Sequence, residues 1–136
     1  METPVTSNDY IELSRLVTEI AWRIDHERAD TVWELFIPSG TLNSNGNPLI
    51  GHEAIRSWGE DRIKSTTLTR HICSGMRFVK KSETEVSGTT LLTVFSTEKD
   101  TQGQPIPKVV GEDYDEFVRT PEGWKFSSRT FKTLFS

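Results

Sequence analysis

The hydrophobic pattern of this chain changes its period once, after a helical N-terminal part. Apolar residues first recur at three- and four-residue spacing, as on one face of a helix, and from about Thr69 onward they alternate with a period of two. Helices followed by strands in this order are typical of α+β domains. The sequence therefore predicts an α+β fold in which a sheet from the second half packs against helices from the first.

The N-terminal part predicts three helices and one hairpin. Asn8 or Asp9 is expected to cap the first helix, because short polar side chains satisfy the free backbone N–H groups of a first turn. The pair Asn45-Gly46 is a strong turn signal between two apolar segments and predicts the hairpin. The predicted ranges are about 8–27, 29–36 and 52–64 for the helices and about 41–50 for the hairpin.

Four long strands are predicted in the second half of the chain. They are longer than the usual five or six residues, which favours a strongly bent antiparallel sheet that wraps around the helices. The predicted architecture is a cone-shaped, curved antiparallel sheet packed on three N-terminal helices, with the open end of the cone as its pocket. The predicted strands cover about residues 69–81, 85–97, 107–120 and 124–134.

The outer face of such a sheet needs a partner if it carries apolar side chains. The even-numbered face of the second predicted strand, from Val86 through Leu92 to Val94, is taken as this outer face. Covering it by self-association would remove an aggregation-prone patch, so a homodimer through the outer face is expected.

Length and charge narrow the class of protein further. A chain of 136 residues with 34% hydrophobic residues fits a single domain over residues 1–136, with residues 1–8 expected to be flexible. The net charge is −4 and no stretch gathers four to eight Lys or Arg, which argues against nucleic acid and membrane partners.

Without a membrane-spanning or signal pattern, a cytoplasmic protein is predicted. One cysteine and three separated histidines give neither a disulfide nor a zinc pattern, so no metal is predicted.

Asp25 lies opposite the charged side of the first helix and is expected to face the interior near the C-terminal end of that helix. The helix dipole and the loss of hydration both disfavour a carboxylate there, so Asp25 needs a hydrogen-bond donor. A backbone amide or a nearby Arg would satisfy it equally well, and that purely structural role stays open.

His71 opens the first long strand and shares a strand face with Cys73. A carboxylate that accepts a hydrogen bond from one imidazole nitrogen fixes the tautomer and leaves the other nitrogen as a general base. Asp25 and His71 would form such a pair if the fold brings them together; otherwise His71 is structural or exposed. The other two histidines, His26 and His52, are both expected to be exposed.

Arg129 alternates in phase with Phe131 on the last predicted strand. If that face lines the pocket, the guanidinium can stabilise a developing oxyanion; if not, Arg129 forms a surface ion pair. Aromatic residues are expected to be chiefly core, with a subset in the pocket wall. The residues expected to contact substrate are Trp22, Trp58, Cys73, Phe95 and Phe131.

Asp113 and Asp115 form an i, i+2 pair on one face of a strand and could take part in paired-carboxylate chemistry. The more ordinary expectation is that they face solvent or pair with Arg119 and Lys108. Cys73 has no second base beside it and is expected to be a small buried filler rather than a nucleophile.

Several short segments, in their order and spacing, resemble the SnoaL-like branch of the nuclear transport factor 2-like superfamily over about residues 11–131. The segments are Ile24-Asp25, Trp33-Glu34-Leu35-Phe36, Gly51-His52-Glu53-Ala54-Ile55, Arg70-His71-Ile72, Gly111 with Asp115-Glu116-Phe117, Gly123-Trp124-Lys125, and Arg129.

This resemblance implies an α+β cone with a cofactor-free pocket. Relatives include scytalone dehydratase, the bile-acid dehydratase, hexachlorocyclohexane dehydrochlorinase, polyketide cyclases and fungal terpenoid isomerases. Several use an Asp/His pair at positions that match Asp25 and His71. Many also have a tyrosine two residues before the aspartate of the penultimate strand, where this chain has Asp113 and the displaced Tyr114.

The leading hypothesis is an enzyme without cofactors that abstracts a proton from carbon in a small, largely apolar substrate. Elimination, isomerisation or cyclisation would follow, as in a lyase or isomerase of secondary or xenobiotic metabolism. Asp25 would orient His71, His71 would be the base, and Arg129 would stabilise the negative charge. The alternatives are a non-catalytic pocket protein and a protein-interaction module, since the superfamily contains both enzymes and binding proteins.

Overall fold

A computed structural model of the protein describes the backbone of residues 2–98 and 106–136 and the side chains of residues 2–98 and 109–136. Two α-helices and one 3₁₀ helix stand on the inner face of one curved sheet. The helices are α1 (Ser7–Asp25), the 3₁₀ helix (Ala29–Leu35) and α2 (His52–Arg62). The strands are β1 (Thr3–Pro4), β2 (Phe36–Ser44), β3 (Asn47–Ile50), β4 (Thr67–Lys80), β5 (Glu85–Glu98), β6 (Ile106–Thr120) and β7 (Gly123–Phe135).

The first helix forms because its apolar residues share one face, where Leu13, Val17 and Ile20 are buried. Its cap differs from the prediction: the side chain of Thr6 accepts a hydrogen bond from the backbone N–H of Asp9, at 3.1 Å. Residues 7 and 8 therefore belong to the first turn, and β1 before them pairs with the end of β4. The helix ends at Asp25, two residues before the predicted boundary.

The sheet has seven strands in the order β1-β4-β5-β6-β7-β2-β3. The predicted α+β cone is confirmed, but the sheet is mixed, because β2 runs parallel to β7 while the other neighbours are antiparallel. The hairpin of β2 and β3 is confirmed, with Asn45 at φ 51° and Gly46 at φ 86° in its turn. Its first strand begins at Phe36, so Pro38 and Gly40 lie in β2 rather than in a loop after the 3₁₀ helix.

Two of the register shifts in the sheet affect which side chains of β4 and β7 point inward. The pairing of β4 with β5 shifts between Ser74 and Arg77, where Gly75 adopts φ 57°. The pairing of β6 with β7 shifts next to Phe126, whose partner is Phe117, whereas the partner of Glu116 is Ser128. Each shift changes the alternation of its strand, so that Phe126 and Arg129 are both buried on the inner face although they are three residues apart.

The core forms between α1, the 3₁₀ helix and the narrow end of the curved sheet. Phe36, Phe117 and Phe126 are fully buried there, with ring centroids 5.0 to 5.1 Å apart along the chain of contacts. Val86 and Leu92 belong to the same inner face and are buried. The expectation that the even-numbered face of β5 is the outer face is therefore wrong; the outer face of this strand carries its odd-numbered residues.

No helix within the described residues is long and apolar enough to cross a membrane.

Gly59 allows α2 to approach the 3₁₀ helix closely, and we predict that Gly59→Ala destabilises the fold by at least about 2 kcal/mol. A Cβ atom at this position would lie 2.6 Å from the carbonyl carbon of Ala29 and 2.9 Å from the Cα of Asp30, both backbone atoms that cannot rotate away. Urea unfolding of the variant measures the loss. Ser57→Ala, at an exposed position of the same helix, is the control and should change stability little. Equal stability of both variants would contradict this account of the helix contact.

Candidate active site

A cavity of about 260 Å³ lies between α1, α2, the β2–β3 hairpin and the inner face of the sheet. Most of its wall is apolar, and its polar groups come from β4, β6, β7, the hairpin and the end of α2. Its apolar wall includes Ile20, Ile24, Leu49, Trp58, Val94 and Phe131. Its polar wall consists of Ser44, Asn47, Arg62, Thr69, His71, Asp113 and Arg129.

The buried carboxylate of Asp25 receives three hydrogen bonds from β4. The ring Nδ1 of His71 donates to Oδ1 at 2.6 Å, and the backbone N–H of His71 donates to Oδ2 at 2.7 Å. The hydroxyl of Thr69 donates to Oδ1 at 2.9 Å. The structure thus brings Asp25 and His71 into direct contact, and the donors that an inward carboxylate requires all come from one strand.

Asp25 is ionised in this environment. Burial raises its pKa, but the hydrogen bonds and the charge of His71, together with the hydrogen bond from Thr69, outweigh burial and lower the pKa below its usual value. A carboxylate can only accept, so Nδ1 of His71 carries a hydrogen. Nε2 is the other ring nitrogen of a residue that lines the cavity, and no hydrogen bond among the described residues uses it.

Two further side chains support this pair. Arg62, at the end of α2, donates from Nη2 to the hydroxyl of Thr69 at 2.8 Å, so Thr69 accepts from Arg62 and donates to Asp25. Arg70 donates from Nη1 to the backbone carbonyl of Asp25 at 2.9 Å. Thr69 could have been found from the sequence, because it lies two residues before His71 and therefore on the same strand face. The position of Arg62 depends on how α2 packs, and no pattern in the sequence indicates it.

Arg129 is buried in the cavity wall between two carboxylates. It donates from Nε and Nη2 to both oxygens of Asp115, at 2.8 and 2.9 Å, which is a bidentate ion pair. Its Nη1 lies 3.4 Å from Oδ2 of Asp113. Burial lowers the pKa of Arg129, but Asp113 and Asp115 outweigh burial and raise it, so the guanidinium stays charged.

The expectation that Asp113 and Asp115 face solvent or pair with Arg119 and Lys108 is wrong. Both carboxylates are buried, because the odd-numbered residues of β6 face inward and Asp115 is the register partner of Arg129. Arg119 instead donates to the carboxylate of Asp9 at 2.9 Å. The side chain of Lys108 lies outside the described residues.

Asp113 differs from Asp115 in its hydrogen bonding. Its Oδ2 is buried and has no hydrogen-bond partner among the described residues. Burial raises the pKa of Asp113 to about 6; the charge of Arg129 opposes this effect, and the neighbouring Asp115 adds to it. Asp113 can therefore change its protonation near neutral pH.

Two of the five predicted substrate contacts, Trp58 and Phe131, lie in the cavity wall. The other three do not. Trp22 is 44% exposed and stacks on the ring of His26 at 4.3 Å on the outside of α1. Phe95 follows Val94, which lines the cavity, so Phe95 points to the opposite face of β5.

Cys73 packs against the core beside the cavity rather than in its wall. Burial raises the pKa of its thiol to about 11, which matches the expectation of a filler and not of a nucleophile. His26 is exposed, as predicted. His52 is not: it is partly buried, and its Nε2 donates to the carbonyl of Phe36 at 2.7 Å.

Within residues 2–98 and 106–136 there is no group of three or more His, Cys, Asp or Glu side chains that could hold a metal ion.

Three solved structures show the class of this fold. An NTF2-like protein with a cystatin-like fold from Novosphingobium aromaticivorans superposes with a TM-score of 0.79 at 19% identity, over 93% of this chain and 82% of that one. Aln2 from a Streptomyces species superposes with a TM-score of 0.84 at 19% identity, over 96% of this chain and 94% of that one. A candidate scytalone dehydratase from Novosphingobium aromaticivorans superposes with a TM-score of 0.81 at 16% identity, over 96% of this chain and 89% of that one. The protein thus has the nuclear transport factor 2-like α+β fold that the sequence resemblance implies.

The family can be stated more narrowly than the fold. The sequence profile of the SnoaL-like domain matches residues 5–130, so the chain belongs to the SnoaL-like family. Comparison with curated protein sequences gives no match.

We predict that stability depends on pH through Asp113. Because the folded pKa of about 6 lies above the ordinary value of about 4, folding favours the protonated form. The stability that Asp113 contributes should be fully present below about pH 4 and lost as pH rises through about 6, a change of about 2 to 3 kcal/mol.

Urea unfolding of the wild type and Asp113→Asn between pH 4 and pH 8 isolates this effect, since the contribution of Asp25 has the opposite sign and is common to both proteins. The free energy of unfolding of the Asn variant should increase relative to that of the wild type as pH rises. Glu112→Gln removes a carboxylate from the outer side of the same strand and serves as the control. A stability difference that does not change with pH would contradict the pKa assigned to Asp113.

Proposed function

We propose that this protein is a lyase or isomerase, acting without a cofactor, that removes a proton from carbon in a small, largely apolar substrate. Dehydration, isomerisation and cyclisation can all begin with this step. The observation that carries the proposal is the 2.6 Å hydrogen bond between Nδ1 of His71 and the Asp25 carboxylate in the wall of a mostly apolar cavity. Membership of the SnoaL-like family and the similarity to a candidate scytalone dehydratase support an activity of this type.

In this mechanism His71 is the general base. Because Nδ1 donates to Asp25, the lone pair is on Nε2, and this nitrogen can accept a proton from a substrate carbon in the cavity. The ring becomes positively charged as it takes the proton, and the Asp25 carboxylate beside it stabilises that charge. Asp25 itself acts through His71 and is a positioning residue, as are Thr69 and Arg62 behind it.

Arg129 is proposed to stabilise the negative charge that develops on the substrate. Its Nε and Nη2 are held by Asp115, which fixes the plane of the guanidinium against the cavity. A donor that is already oriented, in a mostly apolar cavity, stabilises developing charge more strongly than water does.

The cavity limits the substrate to a small molecule. A volume of about 260 Å³ lies just below the usual range for ligand pockets, roughly 300 to 1,000 Å³. Trp58 and Phe131 are proposed to contact the apolar part of the substrate. A molecule of this type fits a step of secondary or xenobiotic metabolism in the cytoplasm.

We predict that the wild-type protein accelerates the Kemp elimination of 5-nitrobenzisoxazole, in which a base removes the C3 proton while the N–O bond opens. This compound is a probe for proton abstraction in an apolar cavity, and its coloured phenolate product is read by absorbance. His71→Ala should lose about a hundred- to ten-thousand-fold in rate, and Asp25→Asn should lose much of it while the fold stays intact.

His26→Ala is the matched control, because it removes an exposed histidine from the same helix end that carries Asp25. A wild-type rate equal to that of His71→Ala would overturn the proposal and favour a non-catalytic pocket protein. So would a His71→Ala variant with the full wild-type rate.

We also propose that the protein forms a homodimer through the outer face of the sheet. Ile72, Leu91 and Tyr114 lie on neighbouring strands of that face and are 52%, 40% and 42% exposed. Apolar side chains in such a group are usually covered by a partner.

We predict that sedimentation at micromolar concentration gives a dimer for the wild type and a monomer for Leu91→Lys, because a charge at the centre of the contact would be buried without a partner. Ile50→Lys, at an apolar and more exposed position on the β2–β3 hairpin, is the control and should stay dimeric. A monomeric wild type would contradict this proposal.

A further inference from the structure

We propose that Asp113 is the proton donor of this site, and that the substrate therefore carries an oxygen leaving group that departs only when protonated. This inference rests on the proposed function, because it supplies the acid for the elimination in which His71 supplies the base. It narrows the substrate class to an alcohol, a hydrate or a related carbon–oxygen compound, as opposed to a halide, which leaves without a proton.

The first support is the position of Asp113. Its side chain is 3% exposed and lines the same cavity as His71 and Arg129. Its Oδ2 has no hydrogen bond among the described residues, although buried carboxyl oxygens normally have one. A ligand group in the cavity can provide the missing partner.

A second unpartnered oxygen lies beside it. Thr90 is the register partner of Asp113 on β5, is also buried, and its Oγ1 likewise lacks a hydrogen-bond partner within the described part of the chain. Two neighbouring strands thus present buried oxygens that lack a hydrogen bond within the described residues, although Oδ2 of Asp113 lies 3.4 Å from Nη1 of Arg129 as an ion pair. Such groups are costly to bury alone, which favours a polar group of a ligand or a water molecule at this place.

The two carboxyl groups of the cluster differ in their hydrogen bonds to Arg129. Burial raises the pKa of Asp115 as it does that of Asp113, but both oxygens of Asp115 accept hydrogen bonds from Arg129, which oppose that effect. One guanidinium balances one carboxylate, so the second carboxyl group, Asp113, is the one that gains from being neutral. The groups that act on it are Arg129 from β7, Asp115 from β6 and His71 from β4, with Thr90 as its uncharged neighbour on β5.

The pKa of about 6 for Asp113 agrees with this assignment, because a group that titrates near the working pH can both give up and regain its proton. When a neutral substrate fills the cavity and removes water, the protonated form is favoured further.

The reaction balances with these two residues alone. The substrate C–H bond breaks and its proton moves to Nε2 of His71, the carbon–carbon double bond forms, and the carbon–oxygen bond breaks. The departing oxygen takes the proton from Asp113, so an alcohol leaves as water. The proton on His71 then returns to Asp113 through solvent, and both groups recover their starting state.

Two benzisoxazoles test this assignment directly. The phenolate released from 5-nitrobenzisoxazole is a good leaving group and needs little protonation, whereas the phenolate from unsubstituted benzisoxazole is poor and benefits from an acid. Both reactions need the same base, so any general disturbance of His71 affects them equally and cancels in the ratio of their kcat/KM values.

We expect Asp113→Asn to lower kcat/KM for benzisoxazole at least about tenfold more than for 5-nitrobenzisoxazole. In the wild type, the benzisoxazole rate relative to the 5-nitro rate should fall as pH rises through about 6, and this fall should be absent in Asp113→Asn. Glu112→Gln, on the outer side of β6, should behave as the wild type. Asp113→Leu, which has no donor at all, should show the same selective loss as the Asn variant, and circular dichroism checks that both variants fold.

Equal losses for the two compounds in both Asp113 variants, or no loss, would overturn the role of Asp113 as an acid and leave His71 as the base. A wild-type protein no faster than His71→Ala on either compound would overturn the proposed function and, with it, this inference.

Discussion

The hydrogen-bonded contact between the end of α1 and β4 is the interaction on which the rest of the site depends. Asp25 is buried where a carboxylate is unfavourable, and it is stable there only because His71 and Thr69 supply three donors. The same three hydrogen bonds join the end of α1 to β4. A structural requirement, the satisfaction of a buried charge, therefore also determines the orientation of the His71 ring.

The second polar cluster consists of Arg129, Asp113 and Asp115. Arg129 and Asp115 neutralise each other in a bidentate pair, but Asp113 adds a carboxyl group that this pair does not need. Replacing such buried charges by apolar residues often leaves a protein equally stable or more stable, so their presence is not explained by stability. One cluster reaches the cavity through His71 and Thr69 and the other through Asp113 and Arg129, and the two differ in protonation. Asp25 is held as an anion, and Asp113 is shifted toward the neutral form. Pairs of titratable groups whose pKa values are shifted in opposite directions are typical of active sites in which one group assists the base and the other is the acid.

Much of the fold follows from the sequence, because hydrophobic period and turn residues report on local structure. The inward face of α1, the Asn45-Gly46 hairpin and the four long strands were all predictable in this way. The parallel pairing of β2 with β7 was not, since it depends on how distant segments meet.

The site was predictable where the side-chain direction was fixed by helical or strand periodicity, as for Asp25 and His71. It was not where burial contradicts the usual preference of a residue, as at Asp113 and Asp115. Trp22 and Phe95 were expected in the cavity wall because a subset of the aromatic residues should line an apolar pocket, but neither residue lines it. Arg62 reaches the site only through the packing of α2.

The proposed base requires one tautomer of the His71 ring, and nitrogen-15 NMR of the histidine side chains measures this tautomer directly. At a pH where the ring is neutral, His71 should carry its hydrogen on Nδ1, shared with Asp25, and Nε2 should show the shift of an unprotonated imidazole nitrogen. In Asp25→Asn this preference should be weakened or lost. A wild-type His71 with its hydrogen on Nε2 would contradict the central claim, because Nε2 could then donate a proton but not accept one.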